Sequence, residues 1–158
     1  MHNFTSCVLD TSVIIKALFS PSRRQAGTTY SREVTTHKTC ATLLAALDEK
    51  GIDGIIPQCG IVEIAAVSSR LADAHAAEEI CDEVEMSYQL VPEEQIIRTA
   101  TKIAREEGCP GFDTYFLALA EQNAIPLFTD DAGLFHICQR RSVTASLMRD
   151  LDPGSVLP

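Results

Sequence analysis

The feature that most restricts what this chain can fold into is a repeated succession: a short apolar run, then a longer stretch with helical periodicity. Residues 6–10 are apolar and end at an acid, and the hydroxyls of Thr11 and Ser12 then precede a helical run over 13–19. An exposed loop is expected over 21–30, because that segment is rich in Ser, Thr, Arg and Gly. A helix carrying Leu43, Leu44 and Leu47 should follow and end at Gly51, and 54–57 reads as a second strand leading into a helix with Ile61, Val62, Glu63, Ile64 and Val67. Asp73 is placed to cap a further helix, and 88–91 reads as a third strand. The amphipathic stripe over 93–107 (Ile96, Ile97, Ala100, Ile103, Ala104, then Gly108) predicts a helix, and 109–112 a turn. A helix over 113–123, a strand over 126–129, a helix near 133–141 and a fifth strand over 142–148 complete the order.

Strands separated by helices pair in parallel, since parallel neighbours need crossovers and the helices supply them. The expected fold is therefore α/β, a three-layer α/β/α sandwich around a mainly parallel sheet. A chain of 158 residues leaves room for about one domain, expected over 1–150, with a C-terminal tail over 151–158 marked by Pro153 and Gly154. The apolar stretch over 7–19 is interrupted by Asp10 and Lys16, so it reads as neither a signal sequence nor a membrane span, and a cytoplasmic protein is expected. Six scattered cysteines with no C-x-x-C pair and no histidine at zinc spacing read as reduced thiols.

In open α/β sheets the functional crevice lies beyond the carboxyl ends of the strands. Acids fall there: Asp10 closes the first strand, Asp130 and Asp131 follow the fourth, Asp113 opens a helix, and Glu63 lies early in the helix after strand two. A lone acid at a helix start is commonly only a cap. Glu63 and Asp113 are more pointed, because their helical neighbours one turn away are apolar or small. Carboxylates gathered at one sheet edge repel, so a compensating cation is implied, and oxygen-only ligands suit Mg²⁺ or Mn²⁺ rather than zinc. Such ions promote phosphodiester hydrolysis. Aspartyl-phosphate transfer through Asp10 is the less favoured chemistry, since Ser12 stands where a second Asp would be expected.

The segments Val8-Leu-Asp10-Thr-Ser12, Ile61-Val-Glu63-Ile-Ala65, Gly111-Phe-Asp113-Thr-Tyr-Phe-Leu-Ala-Leu-Ala120 and Leu127-Phe-Thr129-Asp-Asp131 occur in an order that resembles the PIN-domain nucleases. The resemblance spans about 7–148. It implies a PIN-like fold and a metal-dependent endoribonuclease, VapC-like toxins of toxin–antitoxin pairs being among the family. By the resemblance Asp10, Glu63, Asp113 and Asp131 are the catalytic, metal-binding acids. Asp130 is an alternative ligand beside Asp131. Thr129 would hold the last loop in place at the RNA site, and Thr11 or Ser12 would bond near Asp10. RNA is the implied substrate, with an antitoxin protein and a second copy of the chain as candidate partners. The alternative reading is a catalytically silent PIN-like module that binds RNA or a protein.

A net charge of −9 and a pI near 4.8 argue against broad phosphate binding, so any RNA contact must be local. Residues 20–42 carry Arg23, Arg24, Arg32 and Lys38 against the single acid Glu33, and Arg23, Arg24 and Arg32 are the candidate RNA-binding bases. Arg140 and Arg141 form a second basic spot, whereas 73–94 holds acids with no Lys or Arg and should face away from RNA. His37 and His136 lack ligand spacing, and no Gly-rich phosphate loop occurs.

Overall fold

The computed structural model describes residues 4–22, 27–109 and 111–157. Its elements are β1 (Ser6–Leu9), α1 (Thr11–Leu18), α2 (Thr28–Lys50), β2 (Asp53–Pro57), α3 (Gly60–Leu71), α4 (Ala74–Ser87), β3 (Gln89–Val91), α5 (Ile97–Glu107), α6 (Gly111–Asn123), β4 (Leu127–Thr129), α7 (Ala132–Arg140) and β5 (Ala145–Leu147). Short 3₁₀ turns occupy Glu93–Gln95 and Met148–Asp150. The five strands form one sheet, every pair parallel, in the order β3-β2-β1-β4-β5.

That order contains one reversal. The chain moves outward from β1 to β3, then returns across the sheet to lay β4 beside β1, in register Val8 with Leu127 and Leu9 with Phe128. Right-handed crossovers then put α1–α4 on one face and α5–α7 on the other, which gives the expected three layers. Helices of one layer pack on each other, α1 on α2 and α3 on α4, α5 on α6. The reversal opens a crevice between the carboxyl ends of β1 and β4, the place where this class of sheet binds ligands.

β1 is buried on both faces: Cys7, Val8 and Leu9 are fully enclosed, as a central parallel strand requires. The core continues through Ile14, Leu43, Ile56, Ile64, Ile103, Phe116, Leu119 and Phe128. The tail is not separate from this core, since Val156 is buried and Leu151 and Leu157 lie against it. The six cysteines are unbridged, and burial pushes the Cys7, Cys40 and Cys138 thiols up to about 12. None of the described helices is long and apolar enough to cross a membrane.

Three boundaries differ from the sequence reading. The expected loop over 21–30 is shorter at its far end, because α2 already begins at Thr28. Further along the helix, threonine hydroxyls bond carbonyls one turn back, Thr35 donating to Ser31, Thr36 to Arg32 and Thr39 to Thr35 at 2.9–3.1 Å. The expected helix over 93–107 breaks at Ile96, whose φ of −123° separates the 3₁₀ turn from α5. The break serves a contact: a Glu93 side-chain oxygen accepts the backbone N–H of Cys59 just before α3. Finally, α6 begins at Gly111, so Asp113 is its third residue rather than its first.

Candidate active site

Four elements deliver carboxylates to the crevice. Asp10 follows β1, Glu63 is in the first turn of α3, Asp113 is in the first turn of α6, and Asp131 caps α7. Together with Thr11, Ser12, Ile15, Lys16 and Val67 they line one cavity of about 260 Å³. The two layers approach closely at Gly60. A Cβ there would stand 3.2 Å from Cζ of Phe116 and 3.5 Å from Cγ2 of Thr11, so any side chain at position 60 asks the Phe116 ring to give by a few tenths of an ångström. Glu63 lies one turn beyond Gly60, and Phe116 one turn beyond Asp113, so this contact joins the helices that carry the two carboxylates.

Asp10 is 5% exposed and is held by two hydroxyls. Ser12 Oγ and Thr129 Oγ1 both donate to its Oδ2, at 2.5 and 2.7 Å. Each hydroxyl also accepts a backbone N–H from the loop after β4, Ser12 from Asp130 and Thr129 from Asp131, both at 2.9 Å. The end of β1 and the loop after β4 are thereby stapled through Asp10. Burial raises the Asp10 carboxyl above the ordinary carboxylate range. The two hydroxyls oppose that rise, and Glu63 and Asp131 add to it. Asp113 is pushed up to about 6, by burial first and then by the charges of Asp10, Asp131 and Glu63. Asp131 uses Oδ1 to accept the N–H of Leu134 at 2.9 Å, which closes the N-terminus of α7.

Asp130 is placed otherwise. Its carboxylate is 1% exposed and turned away from the cavity toward Arg149, whose Nε, Nη2 and backbone N–H lie 3.0–3.1 Å from its oxygens, and toward Lys16. Burial works to raise this carboxyl, but Arg149 and Lys16 outweigh it and hold it below the usual range. Of the adjacent pair, only Asp131 lines the cavity.

Of the bases expected to meet RNA, only Arg32 falls within the described residues. Arg23 and Arg24 lie outside the described residues. Arg32 is on α2 rather than in a loop, more than half exposed, with Glu33 beside it at 3.8 Å, and it does not line the cavity. Thr129 is fully buried, so it positions Asp10 and Asp131 and cannot touch RNA itself. The second basic spot is neutralised: Arg140 pairs with Glu107, and Arg141 with Glu106, Glu107 and Glu121. It also lies just before β5, at the opposite end of the sheet from the crevice. His37 is structural, its Nδ1 2.6 Å from the carbonyl oxygen of Lys16. Two residues that the sequence reading left without a role matter here, Lys16 in the cavity wall and Arg149 behind Asp130.

Among the described residues no three Asp, Glu, His or Cys side chains close on a common point as a finished metal cage. The donor set nonetheless suits a hard divalent ion: all carboxylate, mutually repelling, with Oδ1 of Asp10 and Oδ2 of Asp131 free of the hydrogen bonds that fix their partners.

The PIN domain family model matches residues 7–139. No curated protein matches the sequence. Among solved structures, VapBC2 from Rickettsia felis bound to a DNA fragment from its promoter is similar at 11% identity, with 89% of this chain and 97% of that chain covered and a TM-score of 0.62. FitAcB from Neisseria gonorrhoeae is 18% identical over 92% of this chain and 99% of that one, with a TM-score of 0.57. FitAB bound to an IR36 DNA fragment is 19% identical over 92% and 97%, with a TM-score of 0.61. At these identities the likeness is one of fold, and it covers nearly all of each neighbouring chain. The family match takes in Asp10, Glu63, Asp113 and Asp131 together, and the chain belongs to the PIN domain family.

Proposed function

We propose that the protein is a Mg²⁺- or Mn²⁺-dependent endoribonuclease that hydrolyses RNA phosphodiester bonds in the crevice between β1 and β4. One observation carries this reading: carboxylates from four separate elements line a single cavity, and the one described base in its wall, Lys16, is already paired with Asp130 and Glu33. Asp10, Glu63, Asp113 and Asp131 are the residues that would hold the ion. A hard divalent cation supplies, when bound, charge neutralisation and Lewis acidity toward a phosphodiester.

The chain's own contributions follow from the hydrogen bonds. Ser12 and Thr129 fix Oδ2 of Asp10, which leaves Oδ1 aimed by a rigid pair of donors. The cap to Leu134 does the same for Asp131. Asp113, with its carboxyl near 6, readily holds a proton when no cation is present, so proton and cation compete for it. Ile15 and Val67 supply an apolar wall that limits water on one side.

RNA as substrate and a protein partner of the antitoxin type are part of the same reading. Support comes from the family match and from the fold shared with the VapBC2 and FitAB complexes. A second copy of the chain is a further partner on this reading. The direct test is to incubate purified protein with RNA in Mn²⁺, in Mg²⁺ and in chelator. Cleavage that needs the ion and is lost in Asp10→Asn and Asp113→Asn supports the reading. Cleavage that persists in chelator, or in the double variant, overturns it.

A further inference from the structure

Lys16 has two anionic partners that differ in kind. Asp130, 1% exposed, is also bound by the guanidinium and backbone N–H of Arg149, so it cannot leave without stranding a buried charge. Glu33 is a partly exposed acid on α2, 2.8 Å from the ammonium and otherwise only 3.8 Å from the exposed Arg32. That single contact to a partly exposed acid is the easier of the two to exchange, since breaking it leaves neither charge buried. The lysine itself is well anchored: its backbone carbonyl meets the His37 ring, which ties α1 to the helix that carries Glu33. An ammonium has three N–H donors, and these two carboxylates take two. Lys16 also belongs to the wall of the acidic cavity, where it is the one base among the described lining residues.

Among the described lining residues, this ammonium is the one group whose charge attracts a polyanion to the wall. We propose that Lys16 is a phosphate seat for the RNA backbone, and that the Glu33 carboxylate occupies it until a phosphate of the strand displaces it. The inference rests on the nuclease reading above, and it names the first point outside the acid cluster at which the strand is held. Asp130 and Arg149 form the fixed side of the seat, keeping the ammonium at the cavity while its mobile partner changes. The recognised group is a phosphate, which could belong to RNA or to free inorganic phosphate.

The test is equilibrium binding of a fluorescent single-stranded oligoribonucleotide in Ca²⁺, with strand integrity checked, across a range of salt. Lys16→Met should weaken binding about five- to tenfold, as expected for loss of one charged hydrogen bond at a partly exposed site. It should also flatten the log–log salt slope by about 0.7, the value for one phosphate contact on a single strand. Glu33→Gln should act in the opposite sense and tighten binding. Its gain should vanish in the Lys16→Met, Glu33→Gln double variant. A Glu33→Gln gain that survives in the double variant would mean a general charge effect and would overturn the seat. So would Glu33→Gln binding equal to the parent, and this surface variant serves even where Lys16→Met fails to fold. Inorganic phosphate that competes through Lys16 while the oligonucleotide binds independently of it would overturn the RNA assignment. A parent that neither binds nor cuts RNA in the presence of metal sinks the nuclease reading along with this one. A parent that cuts RNA with both variants unchanged sinks only this one.

Discussion

The two ends of the sheet handle negative charge in opposite ways. At the amino ends, Arg141 draws Glu106, Glu107 and Glu121 around one guanidinium, and Arg140 adds a second contact to Glu107. Their hydrogen bonds to Arg141 hold Glu106 and Glu121 below the usual carboxylate range. At the carboxyl ends, Asp10 and Asp113 are raised by burial and then by neighbouring carboxylates, with no guanidinium among the described residues that line the cavity. Acids matched with bases on the spot stabilise a fold, whereas acids crowded without a match store repulsion that an incoming cation can relieve. Asp130 and Asp131 show the same contrast between neighbours, one matched by Arg149 and Lys16, the other left in the cavity wall.

Catalysis should separate the two ends most sharply. Asp10→Asn, Glu63→Gln, Asp113→Asn and Asp131→Asn are each expected to lower kcat/KM for RNA by about 100-fold or more, as loss of a group stabilising transition-state charge does. Glu106→Gln should stay near the parent in the same assay. Comparable losses at both ends would erase the distinction.

Ion binding should come next. Mn²⁺ at a hundred times its Kd should stabilise the fold by about 2.7 kcal/mol, provided the unfolded chain binds it negligibly. At ~2–4 °C per kcal/mol for a domain of this size, the melting temperature should rise by about 5–10 °C. Asp10→Asn should remove most of that rise while its metal-free form melts at or above the metal-free parent. A parent whose melting ignores millimolar Mn²⁺ and Mg²⁺ would break the comparison at its functional end.

The pH dependence should then run in two directions. Asp113 binds its proton more tightly folded, near 6, than unfolded, near 3.8, so its share of stability falls as pH rises across that window in chelator. Glu121, lowered by Arg141, favours the folded state above its unfolded value and loses that contribution as pH falls. Urea unfolding from pH 4 to 7 in chelator should therefore show a downward component that Asp113→Asn abolishes and saturating Mn²⁺ suppresses. An unaltered profile in Asp113→Asn would show that the cavity acids are not crowded.

The smallest effect belongs to the matched end. Arg141→Ala should cost about 1 kcal/mol in urea unfolding, since its acids are partly exposed and solvent takes up much of the loss. RNA cleavage by that variant should be unchanged.

Much of this was legible in the residues. The alternation of apolar runs and helical stripes implies the layered parallel sheet, and Asp10, Glu63, Asp113 and Asp131 stand where the strand ends bring them to one cavity. What periodicity could not convey was partnership across the sheet. Arg149 reaches Asp130 because β4 and β5 pair Thr129 with Leu147, which carries the residues just beyond each strand into contact. That register is a tertiary fact, and without it Asp130 and Asp131 are two equivalent acids. The start of α2 was hidden for a different reason: Thr28 and Thr29 favour loops on their own, and the support α2 draws from packing on α1 is invisible to a local reading.

Gly60 gives the crevice an unusual kind of adjustability. The helix that carries Glu63 and the helix that carries Asp113 meet through a bare α-carbon set against a phenyl edge. Contacts of that sort change by van der Waals increments: a methyl at position 60 asks Phe116 to retreat by a few tenths of an ångström, and a smaller side chain at 116 would hand the space back. Ion radius is a quantity of the same size: Mg²⁺ takes its oxygens at about 2.0–2.1 Å and Ca²⁺ at about 2.3–2.6 Å. If the acids hold an ion as proposed, the pair Gly60 and Phe116 is thus where the fit to it could be altered without touching a single carboxylate.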